Sequence, residues 1–543
     1  MPNYSAITHE ATSSTAESSA SASSDMTRAR RGKPHSKDGG GGGSATMSSS
    51  VTNLLNTILG AGTLAMPSAL SHFGMVLGVI VILWSGFTSA FGLYLQSRCA
   101  RYLDRGTSSF FALSQLTYPN AAVIFDAAIA IKCFGVGVSY MIIIGDLMPG
   151  VVEGFDSSAA SIPYLMDRNF WITVFMLVII PLSFLRRLDS LKYTSIIALV
   201  AIGYLIVLVV YHFSTDVLAP RDKIRVIQWA GPVEALASLP VVIFAYTCHQ
   251  NMFSILNEIK DSTPKSILGV ISTSIGSAAG IYVLVSITGY LSFGNDITGN
   301  IVSMYAPSIA STIAKAAIVI LVTFSVPLQV HPCRASVDAV LKWRPNAVPG
   351  TQGRTGSPNT RLLPTTRSDH GPAAPMSELR FAILTTILLV LAYTVALTVT
   401  SLERVLAYVG STGSTAISFI LPGLFYYKIS DPESIHHQRL AKEDDDALSV
   451  AASAASDDDE AAENDGAEGL LGASASSIHS GTSGTSTKNK TSKLPWRWRT
   501  KWRADMEHIN PVHLRRASLG LAIYGGFVMA VCLAMNLVGT HAH

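Results

Sequence analysis

Residues 48–70, SSSVTNLLNTILGAGTLAMPSAL, are apolar for long enough to cross a bilayer, yet they carry two glycines at their centre. About 20 helical residues at 1.5 Å each span the hydrocarbon core. Asn53, Asn56 and Thr57 occupy the first half and Gly60-Ala61-Gly62 the middle. Glycines propagate a helix poorly and admit unusual backbone angles. Irregular backbone at mid-bilayer survives only where it lines protein or a water-filled cavity, because lipid cannot satisfy bare N–H and C=O groups. An interrupted helix of this kind points to a transporter's binding site.

Further apolar windows follow at 74–95, 121–148, 170–185, 195–213, 233–256, 267–291, 308–330, 379–398, 405–427 and 519–538, which makes eleven candidate spans, the fourth of them short. Charged residues are 14% of the chain, against roughly 25% in soluble domains, so the apolar surface is expected to face lipid. A net charge of +3 is too small to suggest a nucleic-acid partner. Cys99, Cys133, Cys248, Cys333 and Cys532 are scattered without disulfide or metal spacing, and are read as buried thiols. Nothing resembles a nucleotide loop or a catalytic triad, so no enzyme, cofactor or metal is expected.

Residues 1–46 lack the apolar region of a signal peptide and read as a disordered tail rich in Ser, Thr, Ala and Gly. With that tail in the cytosol, the short inside loops hold Arg98, Arg101 and Arg105, then Arg186, Arg187 and Lys192, then Lys260 and Lys265; the outside loops hold only Arg168, Arg221, Lys223, Arg225 and Arg404. This obeys the positive-inside rule and leaves the C-terminus outside or in an organelle lumen. The organisation expected is a first helical unit at 47–213, a second at 233–427 with a disordered insert at 345–375, a disordered acidic and Ser-rich insert at 430–493, a juxtamembrane segment at 494–516, and a last span at 517–540. Trp496, Trp498 and Trp502 alternate with basic residues, which suits a headgroup layer or a partner-binding motif.

The sixth span reads VEALASLPVVIFAYTCHQNMFSILNEI and places Tyr246-Thr247-Cys248-His249-Gln250-Asn251 at mid-membrane depth, a second interruption. Five spans separate the starts of the two broken helices. An odd number reverses direction, so spans 1–5 and 6–10 form two inverted repeats, the geometry of alternating-access carriers. Amides beyond Gly62 open a half-helix whose positive end suits a carboxylate, and the carbonyls of Phe244–Tyr246 suit an ammonium. Together they would grip an α-amino acid. The other reading of Gly60 and Gly62 is close helix packing.

These residues resemble the amino acid/auxin permease family, specifically its fungal vacuolar amino-acid transporters and the related animal sodium-coupled neutral amino-acid transporters. The matching stretches are LLNTILGAGTL at 54–64, FDA at 125–127 through GDLMP at 145–149, FAYTCHQNM at 244–252 and VPLQVHPCR at 326–334. The resemblance implies an all-α, LeuT-like five-plus-five fold with helices 1 and 6 broken, and amino-acid transport with substrate contacts from Asn56, Thr57, Gly60, Ala61, Gly62, Thr63, Phe244, Tyr246, Thr247 and His249. In sodium-coupled relatives a cation lies between span 1 and a hydroxyl on span 8. The aligned position is Ser325, with Thr323 nearby and Asn56 on span 1, whereas the vacuolar branch looks proton-coupled.

Ionisable residues within the spans are functional until shown otherwise. Lys132 is read as a fixed or coupling cation, or as paired with a neighbouring helix. His249 is read as a titrating group, or as a neutral hydrogen-bonded one. Asp126 and Asp146 are expected to be solvated caps, Lys315 to snorkel, and Glu258 to be a gate or solvated. The expectation is a proton-coupled secondary amino-acid transporter, monomeric, in a vacuolar membrane, with cytosolic partners of its tails open. An amino-acid receptor signalling through those tails and a sodium-coupled plasma-membrane carrier are the alternatives.

Overall fold

Inside hydrocarbon, only helices and closed barrels satisfy every backbone group, and the apolar runs of this chain form helices. The computed structural model describes residues 44–104, 106–185, 194–216, 218–342, 376–442, 445 and 511–541. In chain order the helices are α1 (Met47–Ile58), α2 (Ala61–Phe73), α3 (Met75–Ala100), α4 (Phe110–Thr117), α5 (Ala122–Phe155), α6 (Pro163–Met166), α7 (Arg168–Ser183) and α8 (Thr194–Thr215). The second half continues with α9 (Pro232–Ala245), α10 (His249–Glu258), α11 (Pro264–Phe293), α12 (Ile301–Met304), α13 (Ile309–Lys342), α14 (Glu378–Thr398), α15 (Leu402–Val409) and α16 (Leu421–Ile429), and closes with α17 (Pro511–His541).

Among the described residues nine segments are long and apolar enough to span, and the pair α1–α2, bent by 56°, makes a tenth. The shorter apolar helix α7, with 16 residues, occupies the fourth position. The end of the bundle at which the chain enters α1 is the N-tail face, and the opposite end is the far face.

The two halves are built alike. Each opens on a broken helix, α1–α2 and α9–α10. Each has a 34-residue third span, α5 and α13, and these two pack along one another more extensively than any other pair. The second span of each half stitches the break of the other. From α11, the fully buried Tyr282 hydroxyl lies 2.8 Å from both Ile58 O and Ala245 O. From α3, Ser89 Oγ donates to Tyr246 O at 3.1 Å, and Gln96 Nε2 donates to His249 O at 2.9 Å. Backbone groups freed by the interruptions are thus satisfied inside the protein, the condition for breaking a helix in lipid.

The tenth span, Leu402–Ile429, holds a feature without a sequence forecast: two π-helical turns, Gly410–Ser414 and Ala416–Ile420. Thr415 Oγ1 donates to Gly410 O, five residues back, at 2.7 Å. Gly410 and Gly413 let this widened helix press on the backbones of α9 and α5 at Pro240 and Ala128.

Ordered structure extends beyond the limits that composition suggested. At the end of the N-terminal tail, Ala45 pairs with the strand-like backbone after α10, through Ala45 N to Glu258 O and Lys260 N to Ala45 O, both 2.9 Å. The insert expected from 430 begins instead with a helix at 435–442, where His437 Nδ1 lies 3.0 Å from the Tyr102 hydroxyl. The last helix starts at Pro511 rather than 517, and Arg515 reaches Asp431 at 2.7 Å. The 345–375 insert and the Trp-rich run at 496–503 lie outside the described residues.

Two ionisable residues also depart from expectation. Lys315 does not snorkel: it is 3% exposed and donates to Tyr305 O at 2.9 Å. Asp146 is no simple cap, since it faces Arg168 at 3.5 Å.

Replacing Tyr282 with Phe keeps the ring and removes the shared donor. Leaving buried carbonyls without a partner costs roughly 1–3 kcal/mol, so Tyr282→Phe is expected to lower the melting temperature of the purified protein. An unchanged melting curve would show that both carbonyls find other donors.

Candidate functional site

The first interruption forms because the chain leaves α1 at Leu59 (φ −78°, ψ 103°) and re-enters a helix at Ala61. Gly60 caps α2 with no side-chain hydrogen bond. Thr63 N turns back to Gly60 O at 3.0 Å, while the amides of Ala61 and Gly62 have no acceptor among the described residues. These first-turn donors sit at the positive end of a helix dipole.

A cavity of about 50 Å³ opens beside them. Asn56, Leu59, Gly60, Ala61 and Leu64 form one wall, Tyr140 of α5 a second, Ala198 and Ile202 of α8 a third, and Ile318, Leu321, Val322, Ser325 and Leu328 of α13 the fourth. A water needs roughly 10–15 Å³, so the space holds a few waters. On the N-tail face, Asn251 Nδ2 of α10 donates to Thr57 Oγ1 of α1 at 2.7 Å, which ties the two half-helices together below the cavity.

The structure brings Asn56, Gly60, Ala61 and Ser325 to this cavity and places the other residues singled out by sequence behind it. Thr57 belongs to the closure just described. Gly62 is a packing glycine: a Cβ there would meet Ala245 Cβ at 2.6 Å and Ala245 Cα at 2.7 Å. Thr63 is fully buried. Thr247 Oγ1 turns back on Ile243 O at 3.0 Å, and Thr323 Oγ1 on Val319 O at 2.6 Å. The Tyr246 ring stands edge-on to Tyr282, with centroids 5.1 Å apart. His249 is fully buried, with Nε2 3.2 Å from Ser89 O.

Lys132 is buried on α5 against Gly413 of the π-helical stretch. None of the ion pairs among the described residues includes it.

The expectation that the carbonyls of Phe244, Ala245 and Tyr246 await an ammonium needs correction in this conformation. Phe244 O accepts from Thr247 N at 3.0 Å, Ala245 O from Tyr282 and Tyr246 O from Ser89. Each has a donor from the protein, because a bare carbonyl in so dry an interior would be costly.

Sequence reasoning missed Tyr140, whose hydroxyl lies 3.7 Å from where a Cβ on Gly60 would stand. A single tyrosine in a long apolar helix gives no pattern that singles it out; only the approach of α5 to the break does. It also missed the contribution of α8. A larger cavity of about 460 Å³ lies between α5, α14 and α15, is lined mainly by apolar side chains with Arg404 among them, and touches neither interruption.

An all-helical bundle whose first and sixth spans break at mid-depth, with a closed pocket at the first break, defines a membrane carrier of the inverted-repeat class. The chain belongs to the transmembrane amino acid transporter protein family, whose model matches residues 43–452. It is 44% identical over 383 residues to vacuolar amino acid transporter 5 of Schizosaccharomyces pombe, covering 70% of this chain and 84% of that one. Vacuolar amino acid transporter 6 of Saccharomyces cerevisiae is 41% identical over 412 residues, covering 72% and 91%. More distant is sodium-coupled neutral amino acid symporter 2 of Danio rerio, 24% identical over 421 residues, covering 72% and 77%. Among solved structures, the inward-facing conformation of Mhp1 aligns with a TM-score of 0.49 at 12% identity, over 73% of this chain and 78% of that one.

The two glycines of the first break are expected to respond differently. Gly60→Ala meets only the Tyr140 hydroxyl at ordinary contact distance, so it should preserve the melting temperature and weaken amino-acid binding. Gly62→Ala must push α2 off α9 and should lower both. Equal thermal stability of the two variants would contradict the assignment.

Proposed function

We propose that this protein is a secondary active transporter that carries amino acids across a vacuolar membrane by alternating access. The N-tail face lies in the cytosol and the far face in the lumen. The observation that carries this reading is that Ala61, whose amide has no acceptor among the described residues, and Tyr140 line one cavity beside the first break. Such donors receive a carboxylate, as helix N-termini do generally.

The substrate's ammonium would lie toward the end of α1, where Asn56 lines the same space. Opening the cavity enough to admit an amino acid requires the half-helices to move apart, which is the rocking of one repeat against the other. Leu59, Leu64, Ile202, Ile318, Leu321 and Val322 supply the walls, and no charged side chain lines them. That composition favours neutral, apolar side chains on the substrate.

The coupling ion in this reading is a proton, with His249 and Lys132 as the buried groups able to carry it through the bundle. A second reading, sodium coupling, is favoured by one observation: Asn56 of span 1 and Ser325 of span 8 both line the cavity.

Reconstituted protein in vesicles, given radiolabelled neutral amino acids, separates these readings. An imposed pH gradient should drive accumulation without sodium, and Tyr140→Phe should weaken apparent affinity about ten- to a hundredfold, the worth of a hydrogen bond to a charged group. Accumulation that follows only a sodium gradient would select the second reading. Binding without gradient-driven movement would make the protein a receptor.

A further inference from the structure

The far-face mouth is closed by polar side chains that the transport reading has not used. Glu403 stands at the start of α15, capped from behind by Gly299, where a Cβ would crowd Glu403. Its two carboxylate oxygens are divided between the outer halves of the broken helices. Ser68 Oγ of α2 donates to Oε2 at 2.9 Å, and Ser238 Oγ of α9 donates to Oε1 at 3.2 Å. His72 Nδ1, one turn beyond Ser68, lies 2.8 Å from Ser238 Oγ and 3.5 Å from Glu403 Oε1. One carboxylate therefore ties both moving half-helices to the tenth span.

Hydroxyl stoichiometry gives the cluster a direction. Ser238 has a single proton, and when it goes to Glu403 the Ser238 oxygen can accept only from His72 Nδ1–H. A protonated His72 always presents that N–H and adds its charge beside the carboxylate. A neutral ring can instead turn an acceptor to Ser238 and draw the hydroxyl proton away from Glu403.

The other charged groups nearby do not substitute for His72. Arg225 Nη1 is bound to Ser71 O at 3.3 Å, and Asp296 is paired with Lys223 at 2.5 Å. Glu234 lies one turn before Ser238 on α9, Arg404 follows Glu403 in sequence, and α17 has no charged residue between 517 and 540.

We infer that Ser68, His72, Ser238 and Glu403 form the far-face gate of the carrier, held shut when both serine hydroxyls donate to Glu403 and His72 Nδ1–H donates to Ser238. The inference rests on reading the Gly60 cavity as the transport site, but it concerns closure of the mouth rather than what the cavity binds. Removing the carboxylate removes the tie between the two half-helices and the tenth span.

All five native cysteines are buried, so spin labels can be placed selectively at Val233→Cys on α9 and Thr400→Cys before α15. Distances between them are measured by pulsed electron paramagnetic resonance in the full chain in nanodiscs, with no amino acid present. A short distance is expected to dominate in the unsubstituted chain. Glu403→Gln should raise the longer component about tenfold, the worth of a charge-assisted hydrogen bond. The Ser68→Ala, Ser238→Ala pair, which keeps the carboxylate, should do the same, and His72→Ala, which removes the partner of Ser238, should raise it less. Identical distance distributions in all variants would overturn the gate. Since the readout needs no substrate, a failed flux assay leaves it unaffected, and the reverse holds too.

Discussion

A phenolic hydroxyl from α11 meets the carbonyl ends of two half-helices at once. Tyr282 sits fully buried with Ile58 O and Ala245 O each 2.8 Å away, and these oxygens belong to the last turns of α1 and α9. A helix cannot stop in hydrocarbon unless its final carbonyls are satisfied, and the single Tyr282 proton is shared between one carbonyl of each stop. It also fixes how closely the two stops approach. Gly62 fits against Ala245 without room for a methyl group, so the breaks are joined by a donor and by contact.

From that junction the cavity follows. With the carbonyl ends engaged, the opposite ends of the interruptions, the amide ends of α2 and α10, remain as the polar groups of the bundle centre. At the first break Ala61 borders a pocket that Tyr140 also lines; at the second, His249 is taken into the wall by Ser89 and Gln96. The inverted repeat is therefore not functionally even. One break borders a cavity and the other is folded into the scaffold. The same unevenness appears at the faces, where Thr57–Asn251 closes one end through neutral groups and the Glu403 cluster closes the other through ionisable ones.

Much of this architecture is written in local composition. The apolar windows become helices because hydrocarbon enforces them, ten long enough to span among the described residues and α7 shorter, and Gly60-Ala61-Gly62 and the polar run from Tyr246 mark both interruptions. What was illegible is orientation about the helix axis. Helices apolar on every side have no moment to indicate which residues face inward, so Thr63, Thr247 and His249 could be placed at the right depth but not on the right side of the wall. Tyr140 was invisible for the same reason. The π-helical turns at Gly410–Ile420 depend on backbone contacts with α5 and α9, which no sequence period encodes. Lys315 and Arg168 look like interfacial charges by position and are drawn into the bundle only by partners distant in sequence, Tyr305 and Asp146.

The account depends most on the proposal that the first interruption, and not the larger groove between α5, α14 and α15, receives the amino acid. An experimental structure of the protein with a bound neutral amino acid tests this most directly. It should show the carboxylate within hydrogen-bond distance of the Ala61 and Gly62 amides and of the Tyr140 hydroxyl, with the Tyr282 bridge retained. A ligand lodged in the other groove, or a first span running as one uninterrupted helix, would contradict it.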